Sequence, residues 1–459
     1  MFGLGQAGGT VELAGVSLRP GAVGALAPDA SVEKGTVPPA RPSASPTGQD
    51  WIAFLIDVEK RYTVGLKEYI QNDLKSKSLV LCSQASYGGL GGALRERSAD
   101  FTDMHSYWEH PHFPRRPWDA NDWRIDNKAM VRHKSAGTMP GLAHYRLAGR
   151  AFTVSEYNHP APNDYQAECV PLLAAFAAWQ DWDGVYLFDY TGDRDHLAET
   201  RVRGFFSIDS NPAKMALMPA ARCCSTAATC AGGGNDRARV PTGSVPALLG
   251  RYGPNIARLW SAAGSPPEEV LTHRLALAFV DGTGAPTLNR QGKPADNPPL
   301  RLTGAGTDKA LLTVDAPASK LLVGALAGRS VDVGGPTVAV PADGPAFAVV
   351  ALSALDGQAT EKSRSLLLTA VGRVENEGMG WNETRTSVGN RWGKGPARAQ
   401  GIPATVTLPT GGKTVTVHAL DGTGKRAGRV PVTLADGKAT FAIGPSHRTL
   451  WYEIAVDAE

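Results

Sequence analysis

The sequence has no strong bias of charge. Across 459 residues, 47 Lys and Arg stand against 44 Asp and Glu, a formal net charge of +3, so no basic face of the kind that binds nucleic acid is implied. Long hydrophobic runs are missing as well: none is long enough to cross a bilayer, and no membrane partner is implied. The opening MFGLGQAGGTVELAGV has no basic segment followed by an apolar core, so no signal peptide is read there. Cysteine is scarce: five residues, an odd number, at 82, 169, 223, 224 and 230, do not form a disulfide framework. Cys82 and Cys169 lie in apolar segments as small hydrophobes. Cys223, Cys224 and Cys230 lack zinc-ligand spacing and read as inert. No repeat with a period of about 20–50 residues is present.

What is there points to two kinds of architecture. The length allows two or three domains with substantial cores. Residues 9–18 alternate like a strand, and 19–49 are rich in Pro, Ala, Gly and Ser like a linker. From Trp51 to Ile70 the apolar residues recur at helical spacing, with Asp50 as the expected N-cap. Short apolar strands are then read at 78–89, 99–113, 144–160 and 183–193, with helices at 164–180 and 211–221. In all four strands the polar and aromatic residues gather at the C-terminal end, where parallel α/β sheets place their chemistry. Residues 222–268 read as linker or irregular. From about 269 to 459, short alternating runs between Gly, Pro and Asp turns predict an antiparallel β-sandwich.

The carboxylate Glu156 ends a β-branched apolar run in FTVSEYNHPAPNDYQAE, and this sets two readings side by side: a catalytic group at a strand end, or a carboxylate paired with Arg or Lys. Cleavage of a glycosidic bond needs two carboxyl groups, about 5–5.5 Å apart for retention. It also needs aromatic faces for sugar rings and polar groups for hydroxyls. Glu156, His105, Tyr107, Trp108, Asn158 and His159 offer one carboxylate and such a lining. The histidines at 105, 110 and 112 with Glu109 match no strong zinc signature and read as cleft or loop residues. Asp103 either orients a neighbour or caps a turn. Asp189, Asp193 and Asp195 lack the spacing of a calcium loop. Trp108, Trp118 and Trp123 either pack their loop or offer a stacking platform.

Taken together, DMHSYW, SEYNHP and DGVYLFDY resemble strand ends of retaining (β/α)8 glycoside hydrolases of the cellulase-like, family 5 type clan. The resemblance implies Glu156 as nucleophile on the seventh strand and His105 and Tyr107 on the sixth. It implies Gln84 and Tyr87 on the fifth, and sugar-binding aromatics Tyr186, Phe188 and Tyr190 on the eighth. The implied reaction is hydrolysis of β-glycosidic bonds of an oligo- or polysaccharide, with no cofactor and no metal, by a parent enzyme that is secreted or periplasmic. The likeness covers 50–221 as the C-terminal half of a barrel and 269–459 as an appended sandwich; residues 1–20 resemble the remnant of a carbohydrate-binding sandwich. Strands one to four, and the acid/base Glu that follows an Asn on the fourth, are not found. The pairs Asn376-Glu377 and Asn382-Glu383 fall in the sandwich region. Unpaired barrel edges imply self-association. The other functional class is a non-catalytic carbohydrate-binding sandwich.

Overall fold

The computed structural model describes residues 29–457 except 32, 38, 193, 194, 196, 198, 222–233 and 293–297. The remnant read over 1–20, the first part of the linker at 21–49, Asp193, and Cys223, Cys224 and Cys230 lie outside these residues. The fold is mixed, with helices and parallel strands in the first half and a large β-rich second half.

Helix α1 (Pro46–Glu68) starts earlier than Asp50. Ser45 is the N-cap, its side chain accepting the Gly48 N–H at 3.1 Å, and Pro46 takes the first position, where its missing N–H costs nothing. Helix α2 (Leu90–Glu96) leads to strand β1 (Thr102–Tyr107), and α3 (Met139–Ala143) to β2 (Phe152–Asn158). Helix α4 (Cys169–Gln180) leads to β3 (Gly184–Leu187), and α5 (Pro212–Ala216) follows. Strands β1, β2 and β3 form a parallel sheet in that order. The strand expected at 78–89 contributes one parallel bridge, Gln84 to Asp103. Phe152 and Val154 point from β2 into the same core as Leu172, Leu173 and Phe176 of α4. That helix is apolar all round and buried almost all round, as its sequence requires.

The stretch read as irregular over 222–268 is ordered from residue 234. Strand β4 (Gly234–Pro241) is followed by α6 (Val245–Tyr252), α7 (Ile256–Ala262), β5 (His273–Val280) and β6 (Thr287–Gln291). β4 is the centre of this sheet, parallel to β5 and antiparallel to β6. It buries Gly234, Asp236, Ala238 and Val240 on alternate positions, and a buried Asp in that series hides the period. The sandwich therefore begins after β6 rather than at 269.

Its strands are β7 (Leu300–Thr303), β8 (Leu311–Ala316), β9 (Ser319–Gly324), β10 (Ser330–Asp332), β11 (Thr337–Ala339), β12 (Ala348–Ala354) and β13 (Ser365–Val371). The hairpin β14 (Val374–Glu377) and β15 (Lys394–Ala399) comes next. Strands β16 (Ala404–Pro409), β17 (Val415–Leu420), β18 (Arg426–Val430), β19 (Val432–Ala435), β20 (Lys438–Ile443) and β21 (Trp451–Val456) complete it. An eight-stranded sheet, β18-β17-β21-β13-β12-β9-β8-β7, packs on a five-stranded one, β10-β11-β16-β20-β19.

The larger sheet is covered on both faces. Along β12, Ala348, Val350, Leu352 and Ala354 enter the core shared with the five-stranded sheet. Val349 and Ala351 enter the core shared with β2 and α4. Leu321 and Val323 of β9, and Leu312 and Val314 of β8, face the same way as Val349. The period of two thus joins the two halves of the chain through one apolar layer. Leu321 is fully buried in that layer, so Leu321→Ala is expected to cost about 2–5 kcal/mol. Urea denaturation followed by tryptophan fluorescence checks this; a cost below about 1 kcal/mol would show that the layer does not join the halves.

Candidate functional site

At the C-terminal ends of β1 and β2 lies an open cleft of about 630 Å³, lined by Leu81, Ser83, Gln84, Tyr87, Asp103, His105, Tyr107, Ser155 and Glu156. Period two puts Asp103, His105 and Tyr107 on one face of β1. A register shift between Met104 and His105 then sets His105 opposite Glu156 instead of Ser155. Both Ser155 and Glu156 consequently turn toward the cleft.

Glu156 is held by two neighbours through one oxygen. Tyr107 donates its hydroxyl to Glu156 Oε2 at 2.7 Å, and His105 Nδ1 lies 3.3 Å from the same atom. The Glu156 side chain is 33% exposed. Burial, and then the hydrogen bond to Glu156, push the Tyr107 hydroxyl far above the ordinary phenol range, so it stays a donor. On the other side of the ring, His105 Nε2 lies 2.9 Å from Ser155 Oγ and 3.2 Å from Asp103 Oδ2. Asp103 is buried and accepts from Thr153 Oγ1 at 2.5 Å, Ser155 N at 2.9 Å and Ser155 Oγ at 2.7 Å. The imidazole therefore spans two carboxylates, one saturated and buried, the other facing solvent.

Gln84 accepts the His105 N–H at 3.2 Å. The loop that carries Gln84 and Tyr87 is anchored by Arg95, whose buried guanidinium donates to Gln84 O at 3.0 Å, Glu96 at 2.6 Å and Glu59 of α1 at 2.5 Å. An aromatic wall extends from Tyr107 through Phe206 (5.3 Å) and His110 (5.5 Å) to Trp118 and Phe188. Phe206 has no neighbouring motif to mark it in the sequence.

Other expected residues lie elsewhere. Asn158 and His159 are fully buried and line no cleft. Asn158 donates to Phe188 O and Phe206 O, at 2.5 and 2.7 Å, and accepts from Lys214 Nζ at 2.6 Å, so it ties strand ends together. His159 Nε2 pairs with the Tyr157 hydroxyl at 2.9 Å. Trp108 donates to Lys128 O and packs on His133, a loop-closing role. Tyr186 and Tyr190 are exposed, on and just after β3, outside the cleft lining. Asn376 is buried, bonding Val202 N and O and Trp392 O; Asn382 caps its own loop at Thr386. Neither Asn-Glu pair lines the cleft.

Glu109 accepts the N–H groups of Asp126 and Asn127, and His112 bridges to Arg124, so the loop histidines do not converge with it. Among the described residues one trio of metal-type ligands comes together, Asp236, Glu269 and His273. There Arg290 already donates to Asp236 at 3.1 Å and Glu269 at 2.6 Å, supplying the cation itself. Compared with known proteins, the chain matches no family model, no curated protein and no solved structure.

Around Asn158 and His159 lies a fully buried polar network. Glu168 accepts Met130 N at 2.5 Å and Val131 N at 3.2 Å, and burial pushes its carboxyl up to about 8. Lys214 Nζ donates to Asn158 Oδ1 and to His159 O, and burial brings it down to about 8. Glu168 keeps a proton that the unfolded chain releases, so its contribution is full below the ordinary carboxylate range and is lost as pH rises toward about 8. Lys214 releases a proton that the unfolded chain keeps, so stability rises again from about 8 toward the ordinary lysine range. Urea-unfolding profiles of native and variant chains separate these two contributions from those of other buried groups. Glu168→Gln should remove a fall in stability between the ordinary carboxylate range and about pH 8, and Lys214→Met a rise above about pH 8; a native-minus-variant difference that is flat with pH would contradict the assignment.

Proposed function

We propose that residues 50–221 are the C-terminal half of a (β/α)8 glycosidase barrel, and that its cleft attacks β-glycosidic bonds with Glu156 as the nucleophile. The observation that carries the reading is the convergence of Tyr107 and His105 on Glu156 Oε2, at the strand ends of a parallel sheet and beside an aromatic wall. With Oε2 held, Oε1 is the oxygen offered to an anomeric carbon. Attack forms a glycosyl ester as the bond to the leaving oxygen breaks, and water then hydrolyses the ester with net retention. Tyr107 and His105 hold the carboxylate in place.

The leaving oxygen needs a proton from a second carboxyl group. The cleft's other carboxylate, Asp103, is buried and saturated behind His105. The chain by itself is thus suited to activated substrates, whose leaving groups depart without protonation. Dinitrophenyl β-glycosides should be hydrolysed and alkyl β-glycosides should not. Glu156→Gln should lower the aryl rate by about three orders of magnitude. Equal rates from the native chain and the variant, or none from either, would overturn the catalytic reading.

A second reading, carbohydrate binding without catalysis, draws on a cleft of about 680 Å³ where Trp451 adjoins Arg398, Asp421 and Arg448 beside α5. Electrophoresis in gels containing different polysaccharides checks it. Unchanged mobility in every gel would remove this reading.

A further inference from the structure

We infer that the open side of the parallel sheet is the interface of a two-fold dimer of this chain, with β3 of one copy lying along the 79–84 edge of the other, twice over. Among the described residues the sheet ends at β3 on one side and at the singly bridged Gln84 segment on the other. Parallel sheets are ordinarily covered on both faces. Here Leu79 is 71% exposed and Tyr186 60%, and Tyr87, Phe188 and Tyr190 also stand open. Unpaired strand edges of this kind attract another strand.

The direction and charge of the two edges select the partner. All the segments run parallel, so a two-fold axis along the strands brings unlike edge to unlike edge at both seams and leaves none open. Pairing β3 with β3 about a perpendicular axis would leave the 79–84 edges free. Four segments from each copy make eight, the number at which a parallel barrel closes around a side-chain-filled interior. Exposed Lys75 and Lys77 precede the 79–84 segment. Exposed Asp181, which pairs with Arg146 at 2.9 Å, and Asp183, which accepts the Phe152 N–H at 2.8 Å, precede β3, so the two edges carry opposite charge at their N-terminal ends.

Helix α1 borders the same edge. Lys67 donates to Asp100 Oδ1 at 2.5 Å, and Asp100 Oδ2 accepts the Val80 N–H at 2.8 Å, clamping the helix to the edge segment. Exposed Tyr62 and Leu66 of the helix and Tyr69 just beyond its end, spaced i, i+4, i+7, form an apolar stripe that a second copy covers. Closure brings the partner's Glu156 into the same lumen, so the dimer holds two strand-end carboxylates where one chain holds one. The inference rests on the sheet edges and needs no glycosidase activity.

Light scattering after size exclusion of the full chain should give twice 48.3 kDa. Leu79→Asp combined with Tyr186→Asp alters only exposed side chains and should raise the dimer dissociation constant at least about ten-fold. Lys77→Glu should weaken the dimer as well, and added salt should weaken the native one. A native monomer at every concentration, or open-ended larger assemblies, would overturn the dimer. Loss of hydrolysis with the dimer intact would sink the glycosidase reading alone.

Discussion

The structure depends on one apolar layer, the eight-stranded sheet whose alternate residues serve two cores. Strands buried at every position cannot face water on either side. In β9 and β12 every residue is buried, so both faces must be covered. One face is covered by the five-stranded sheet. The other is covered by β2, α4 and the β4-β5-β6 region, which gives the α/β half a floor that its own short sheet could not supply. The loop from Asn376 to Trp392 then reaches back, Asn376 bonding Val202 and Arg385 pairing with Asp164 at 2.5 Å. The cleft is set on a rigid base although the sheet that bears it is open at both edges.

That openness shapes the chemistry. Glu156 owes its position to a register shift and its hydrogen bonds to a neighbouring strand, all of which the four parallel segments provide by themselves. A partner acid is a different matter, since in a barrel it comes from a strand on the far side of the lumen. Among the described residues the cleft therefore has one well-held carboxylate, an aromatic wall beside it and no second free carboxylate in its lining. Exposed Tyr186 on β3 and exposed Leu79 at the opposite edge stand at the two open edges of the same sheet.

Much of the α/β half was legible because its signals are local. The helical period after Trp51, the apolar runs ending in DMHSY and SEYN, and the all-apolar CVPLLAAFAAWQ each describe one element and its burial. Asp103, His105 and Tyr107 also follow from period two alone. Other features needed the third dimension. The β1 register shift that turns both Ser155 and Glu156 inward leaves no mark in the sequence, and neither does the burial of Asn158 and His159, which look like site residues until Lys214 arrives from 56 positions away. β4 carries no clear strand signal because its inward series contains Gly234 and Asp236, and the Asp is balanced by Arg290 from another strand.

The most direct measurement of the central claim, that Glu156 is a poised nucleophile, is covalent trapping with a 2-deoxy-2-fluoro aryl β-glycoside, followed by peptide mapping. The fluorine slows hydrolysis of the glycosyl ester, and the activated leaving group makes no demand on an acid. The account predicts one added sugar, located on Glu156, and none on the Glu156→Gln chain. A sugar on any other residue, or no labelling by any epimer tried, would contradict it.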